Sequence, residues 1–100
     1  MFDSTYEFDW DDTKAATNLS KHGVRFEEAM TVFNDPLAMT RFDAQHSDTE
    51  ERWITIGLAT GATLTLVVHT YSVIDAQHVL IRIISARHST KREARQYHEG

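Results

Sequence analysis

The sequence predicts an α+β domain: an N-terminal strand and αα-hairpin, an antiparallel sheet of three to four strands, and a C-terminal helix. Three observations carry that expectation. Apolar residues recur at helical spacing in early segments, they alternate with period two through the middle, and turn-forming residues separate the two regimes. One hundred residues without a repeat, linker or low-complexity tract make a single domain, residues 1–100.

Each element has a local reason. Tyr6-Glu7-Phe8-Asp9-Trp10 alternates apolar and acidic side chains, as a half-buried strand does. Asp11 and Asp12 suit the N-terminus of a first helix, about 12–21, because its free N–H groups and dipole favour negative charge. Ala15, Ala16 and Leu19 share one face of it, while Lys14, Asn18 and Lys21 follow at i, i+4 and i+7 on another. Lys21-His22-Gly23 reads as its stop, cations in the last turn and then a glycine able to take positive φ. A second helix, about 26–33, places Phe26, Ala29, Met30 and Phe33 on one core stripe, and Asn34-Asp35-Pro36 ends it in a turn.

Strands follow. Residues 52–58 and 64–71 flank the short turn Thr60-Gly61-Ala62. The hairpin register that sets Leu58 opposite Leu64, Ile56 opposite Leu66 and Ile54 opposite Val68 gathers six aliphatics on one face. The second face then carries Trp53, Thr55, Val67, His69 and Tyr71. In the third strand, 79–86, Arg82 joins that second face if the aliphatic faces agree. Thr90-Lys91-Arg92-Glu93 fits a capping box opening a last helix, about 91–99, with Lys91, Arg92 and Arg95 exposed.

The formal net charge of −5 speaks against a plain nucleic-acid binder, yet it is unevenly distributed. Residues 1–51 hold twelve acids and four Lys/Arg, and residues 52–100 hold three acids and six Lys/Arg. A local basic patch on an acidic body is therefore possible, as is a merely solvated basic helix. The start, MFDSTYEFDW, lacks the apolar region of a secretory signal, and the apolar run Leu64–Val68 is too short to span a bilayer. With no cysteine present, a cytoplasmic protein is expected. Six histidines at 22, 46, 69, 78, 88 and 98 show no metal-ligand spacing, and four scattered glycines form no phosphate loop, so neither metal nor cofactor is expected.

Three groups of segments together resemble one family. Phe8-x-Trp10-Asp11-x-x-Lys14-Ala15-x-x-Asn18-x-x-Lys21-His22-Gly23-Val24 and Phe26-Glu27-Glu28-Ala29-x-x-Val32-Phe33-x-Asp35-Pro36 form the first. His46-Ser47-x-x-Glu50-Glu51-Arg52-Trp53-Ile54-x-Ile56-Gly57 and Val67-Val68-His69-Thr70 form the second, and Arg82-Ile83-Ile84-Ser85-Ala86-Arg87-x-x-Thr90-x-x-Glu93 the third. Over nearly the whole chain they are similar to BrnT ribonuclease toxins of type II toxin–antitoxin systems. The resemblance implies a RelE-like toxin fold and metal-independent endoribonuclease activity. It also implies a hetero-oligomer with a BrnA-like ribbon-helix-helix antitoxin, with operator DNA reached only through that antitoxin.

Cleavage of RNA without a metal needs a base for the ribose 2′-OH, fixed positive charge for the crowded phosphate, and an acid for the leaving 5′-oxygen. Arg82, set among isoleucines, and Arg87 at the end of the same strand are the expected phosphate-stabilising pair, since guanidinium is always charged and grips two oxygens. His46, Glu51 and Arg52 are expected to serve in proton transfer or positioning, and Lys14, His69, Lys91 and Arg92 to bind RNA. Structural alternatives stand beside these: Arg82 in an ion pair with an acid of the first half, 46–52 as a solvated loop, and His69 as a satisfied core-edge histidine. Trp53 and Tyr71 suit stacking on a base or packing on a helix. The rival function is a non-catalytic module whose acidic half holds a basic antitoxin-like protein partner.

Overall fold

The computed structural model describes residues 5–100. In chain order they form β1 (Thr5–Asp9), α1 (Asp12–His22), α2 (Phe26–Ala29), β2 (Met39–Phe42), β3 (Trp53–Ala59), β4 (Thr63–His69), β5 (Ser72–Val73), β6 (His78–His88) and α3 (Lys91–Glu99). The α+β class and the order of strand, helices, hairpin, strand and helix are as expected. The sheet is larger: six strands in the order β1-β6-β4-β3-β2, with β5 also pairing β6, and β1 running parallel to β6. The extra members escape periodicity because β2 is four exposed residues and β5 is two. The pairing of β1 joins residues more than 70 positions apart, Thr5 opposite His78 to Asp9 opposite Arg82.

The second helix is shorter than its apolar stripe suggests. It is α-helical only through Ala29 and tightens into a 3-10 turn over Met30–Asn34. The Thr31 hydroxyl donates to the Glu28 carbonyl three residues back, and β-branched Thr31 and Val32 do little to hold a wider turn.

The β3–β4 hairpin has the expected register, Leu58 opposite Leu64, Ile56 opposite Leu66 and Ile54 opposite Val68. The faces are used differently from the expectation, however. Val24, Phe26, Ala29 and Val32 of the helical hairpin pack on Ala59, Val67, Val79, Ile81, Ile83 and Ala86. The helices thus cover the face of β3 that carries Thr55, Gly57 and Ala59, and the six-aliphatic face turns away from them. Close approach is the reason: a Cβ on Gly57 would lie 2.9 Å from Val32 Cγ1 and 3.1 Å from Ala38 Cβ. Large side chains do not fit under that turn. On the six-aliphatic side stands α3, whose Tyr97 and Glu93 line a hollow together with Ile54, Ile56 and Leu66.

One irregularity decides where the strand side chains of β6 point. Val68 pairs with Ser85 and His69 with Ile83, so Ile84 is an extra residue, a bulge. Before it, Val79, Ile81 and Ile83 face the helices; after it, Ala86 does. Arg82, Ser85 and Arg87 consequently share the face turned away from α1 and α2. Simple alternation would have separated Arg82 from Arg87.

Gly57→Ala is expected to lower stability by about 1–3 kcal/mol, since the added methyl meets the β-branched Val32 and the Ala38 Cβ rather than a flexible chain end. A urea midpoint equal to that of the unchanged protein would show that the 3-10 turn yields freely.

Candidate functional site

Helix α1 lies where β1 stops, along the continuing edge of β6. Its Asn18 is the one buried residue of the helix. The Asn18 amide donates to the carbonyls of Val24 (3.0 Å) and Ala86 (2.8 Å), and its Oδ1 accepts from the Ala86 N–H (3.0 Å). The side chain thereby does for β6 what a neighbouring strand would do. The spacing i, i+4, i+7 groups Asn18 with Lys14 and Lys21 on one face of the helix; burial of a fully satisfied amide is what separates it from them.

Lys14 and Lys21, on the same side of α1, are carried to the rim of a cleft on the face away from the core. The cleft is lined by Thr13, Lys14, Thr17, Asn18, Lys21 and His22 of α1, by Ile84 and Ser85 at the bulge, and by Arg52. Arg52 enters from the start of β3. Its Nε–H is buried and finds no hydrogen-bond acceptor among the described residues, while its terminal nitrogen lies 3.6 Å from Glu50. The Arg52 side chain as a whole is 30% exposed, so it carries a guanidinium charge to the cleft although Nε itself is covered. Three side chains that are cationic at neutral pH and one imidazole thus converge on a cleft whose charged lining includes no carboxylate.

The loop before β3 positions Arg52. The Asp43 N–H donates to the Arg52 carbonyl (2.8 Å), the Arg52 N–H donates to Ser47 Oγ (3.0 Å), and Ser47 Oγ donates to the Asp43 carbonyl. Asp43 is buried and its carboxylate accepts from His46 Nδ1 at 2.9 Å, which leaves the other imidazole nitrogen exposed. His46, Glu51 and Arg52 therefore belong to one closed loop, although His46 does not line the cleft.

Arg82 lies at one end of the same sheet face, in a hollow with Glu50, Glu51, Thr70, Tyr71 and Leu80. It is half-exposed and paired with Asp9 at 3.0 Å, the ion pair with a first-half acid that stood as its structural alternative. It does not share a face with Trp53 and His69, because Ile83, not Arg82, sits beside His69 among the core residues; of the three aromatic rings expected beside it, only Tyr71 lines its hollow. At the other end, Arg87 donates both terminal nitrogens to Glu93, at 2.8 and 2.9 Å. Its fork is thus already filled by a carboxylate and anchors α3. Tyr97 completes that anchor by donating to Asp35, whose carboxylate also accepts from the N–H groups of Leu37 and Leu58. Burial works to raise the Asp35 carboxyl, but those three donors outweigh it and hold it below the ordinary range. Lys91 and Arg92 stand exposed on the first turn of α3, where the helix dipole disfavours cations.

His69 is wholly buried and has no surface to offer RNA, which corrects its expected role. Nδ1 lies 2.9 Å from the Thr70 carbonyl, so it carries the hydrogen, and Nε2 accepts from the Thr55 hydroxyl at 2.7 Å. Burial pushes its pKa down, and the ring packs edge-on against Phe33 at 4.9 Å. It is the satisfied core histidine.

The sequence reading missed His22 and Lys21 as members of a site. Lys21 was visible in the i, i+7 spacing from Lys14, but His22 had been absorbed as a helix stop. Among the described residues no three His, Asp or Glu side chains gather as metal ligands would.

A family model described as "Ribonuclease toxin, BrnT, of type II toxin-antitoxin system" matches residues 10–93. In fold, the chain is similar to the crystal structure of the Brucella abortus ribonuclease toxin BrnT. The TM-score is 0.57 at 21% identity, and the match covers 87% of this chain and 100% of that one. No curated protein matches it in sequence.

The Arg87 guanidinium, with the Thr90 N–H, pulls the Glu93 carboxyl from 4.5 down to about 2. A depressed folded-state pKa means stability that is complete above about 4.5 and lost as pH falls toward 2. Glu93→Gln keeps an acceptor for the cap but removes that dependence. Its urea midpoint should fall less than that of the unchanged protein between pH 5 and pH 3, about 0.5 M less or more; parallel profiles would show that the pair contributes nothing.

Proposed function

We propose that this chain, which belongs to the BrnT family of ribonuclease toxins of type II toxin–antitoxin systems, cuts RNA without a metal ion in the cleft between α1 and the bulge of β6. Membership of the family implies an RNA target and a cognate antitoxin. The observation that carries the assignment of the cleft is the convergence of Arg52, Lys14, Lys21 and His22 on one lining that holds no carboxylate.

In this reading the scissile phosphate is held by Arg52, and Lys14 and Lys21 hold the neighbouring backbone. The ribose 2′-oxygen attacks the phosphorus as its proton passes to a base. The P–O5′ bond breaks, an acid protonates the leaving 5′-oxygen, and the products are a 2′,3′-cyclic phosphate and a 5′-hydroxyl. The negative charge gathered on the phosphate is met by guanidinium and ammonium groups, the task a metal ion performs in other enzymes. His22 lines the cleft and is assigned the proton transfer nearest the phosphate. His46, held by Asp43, and Glu51 lie outside the lining of this cleft, on the 43–52 loop, and act by positioning Arg52. Arg82, beside Glu51 and already near a carboxylate, extends the charged face toward flanking nucleotides, as do Lys91 and Arg92 from α3. Arg87 is a positioning residue, because Glu93 occupies its fork.

The partner we propose is a BrnA-like antitoxin with a ribbon-helix-helix part, forming a hetero-oligomer that reaches operator DNA through the antitoxin. The acidic first half of the chain suits a basic segment of such a partner. Among the described residues no helix is long and apolar enough to cross a membrane, and a cytoplasmic location is proposed with the RNA target.

The test uses purified full-length chain, a single-stranded RNA oligonucleotide and excess EDTA. The chain should produce cyclic-phosphate ends, and Arg52→Ala, with its unfolding midpoint retained, should slow cleavage by roughly 10²–10³-fold. Lys14→Ala with Lys21→Ala should weaken RNA binding and reduce the slope of log affinity against log salt by about 1.4. Intact RNA with folded wild-type chain would defeat the catalytic reading, and cleavage abolished by EDTA would defeat its metal-free part.

A further inference from the structure

On the opposite side of the sheet, beyond the end of the 3-10 turn, aromatic rings run across the strands. Phe42 and Trp53 have centroids 5.2 Å apart, and Trp53 and Tyr71 are 6.4 Å apart at an interplanar angle of 59°. Phe42 is 42% and Tyr71 43% exposed, so the row is surface rather than core. Between the Trp53 and Tyr71 rings lies a hollow whose other lining residues are Thr40 and Glu51. Glu51 is exposed and makes no ion pair among the described residues.

Two tilted rings alone fit either a nucleobase or a cationic side chain. The fourth wall separates them. A carboxylate in the lining repels the phosphates on either side of a stacked base and attracts a guanidinium or ammonium, and no cation lines the hollow to offset it.

We propose that the Thr40–Glu51–Trp53–Tyr71 hollow receives a lysine or arginine side chain from a protein partner, the cation resting on the two rings with its charge on Glu51. The proposal deepens the toxin–antitoxin reading and rests on it for the identity of the partner as the antitoxin. Glu51 and Tyr71 also line the adjoining hollow that holds Arg82. A partner's cation seated in the cage therefore engages a carboxylate that the cleavage reading uses. Neutralisation would then act through Glu51 as well as through covering the α1 cleft.

The test is an amide and indole N–H titration of the isotope-labelled full-length chain. The probes are capped glycine-flanked peptides centred on arginine, on lysine or on glutamate, and an oligouridine. The arginine and lysine peptides should shift the Trp53 indole and the Thr40 and Glu51 amides, the glutamate peptide should not, and the stronger of the first two identifies the cation. Glu51→Gln, an exposed change that spares the fold, should weaken binding by about five- to tenfold, and Trp53→Leu by at least as much. Absence of shifts at the hollow at millimolar peptide, or shifts there from oligouridine alone, would overturn the proposal, the latter in favour of a base-stacking surface. Wild-type chain that cleaves RNA yet ignores the basic peptides sinks this inference alone. Chain that binds them but leaves RNA intact sinks the catalytic reading instead.

Discussion

The Asn18 amide bonded to the edge of β6 is the contact on which the arrangement of this molecule turns. Strand β1 covers β6 only from His78 to Arg82, and the backbone beyond still needs partners. Asn18 satisfies both the N–H and the carbonyl of Ala86, and it ties the loop carbonyl of Val24 to the same point. An apolar side chain of equal size could fill the space but would strand those groups. Because the bonds fix the rotation of α1 about its axis, Lys14 and Lys21 are held on the rim facing Ser85 and Arg52. The other end of the sheet uses the same device: Asp35 accepts from the Leu58 N–H and Thr31 from the Thr60 N–H, where β2 has stopped short of the end of β3.

The bulge at Ile84 gives the two faces of the sheet their separate characters. One face carries the core, then the aromatic row from Phe42 to Tyr71 with Glu51 beside it. The other carries Arg82, Ser85 and Arg87 in line, flanked by the cations of α1 and by α3. A protein of net charge −5 can in this way present a basic cleft and an acidic, aromatic surface at the same time. An RNA-cleaving protein that must also be held by a partner has use for both. Helix α3 is fastened at both ends of its inner face, by Glu93 to Arg87 and by Tyr97 to Asp35, so it stands on the aliphatic side of the hairpin without lining the cleft.

Much of the candidate site lies within reach of sequence reasoning, but not its grouping. Lys14, Arg52, Glu51 and Arg82 were all singled out by residue type and setting. His46 belongs to the loop that holds Arg52, as its proximity in sequence suggested. Arg87 was read as a phosphate ligand because its partner, Glu93, looked only like a capping residue; it is both. His69 misled because alternation places it opposite a set of aliphatics, and the natural inference is that aliphatics face the core. The small residues Thr55, Gly57 and Ala59 were the contrary signal, since a face of small side chains admits a closely packed helix.

Amino-acid pattern by itself determined the α+β class, the helix ends at Asp11, Gly23 and Thr90, the hairpin register and the likeness to a toxin family. Each of these depends on interactions within a few residues or on the period of one strand pair. Tertiary structure alone decided the parallel pairing of β1 with β6, the face on which Arg82 and Arg87 lie, the burial of His69 and the meeting of Lys14 and Lys21 with Arg52. Those outcomes depend on one inserted residue in β6 and on side chains bonding across 68 positions of chain. A one-residue change of phase inverts every later side chain, and no local propensity records it.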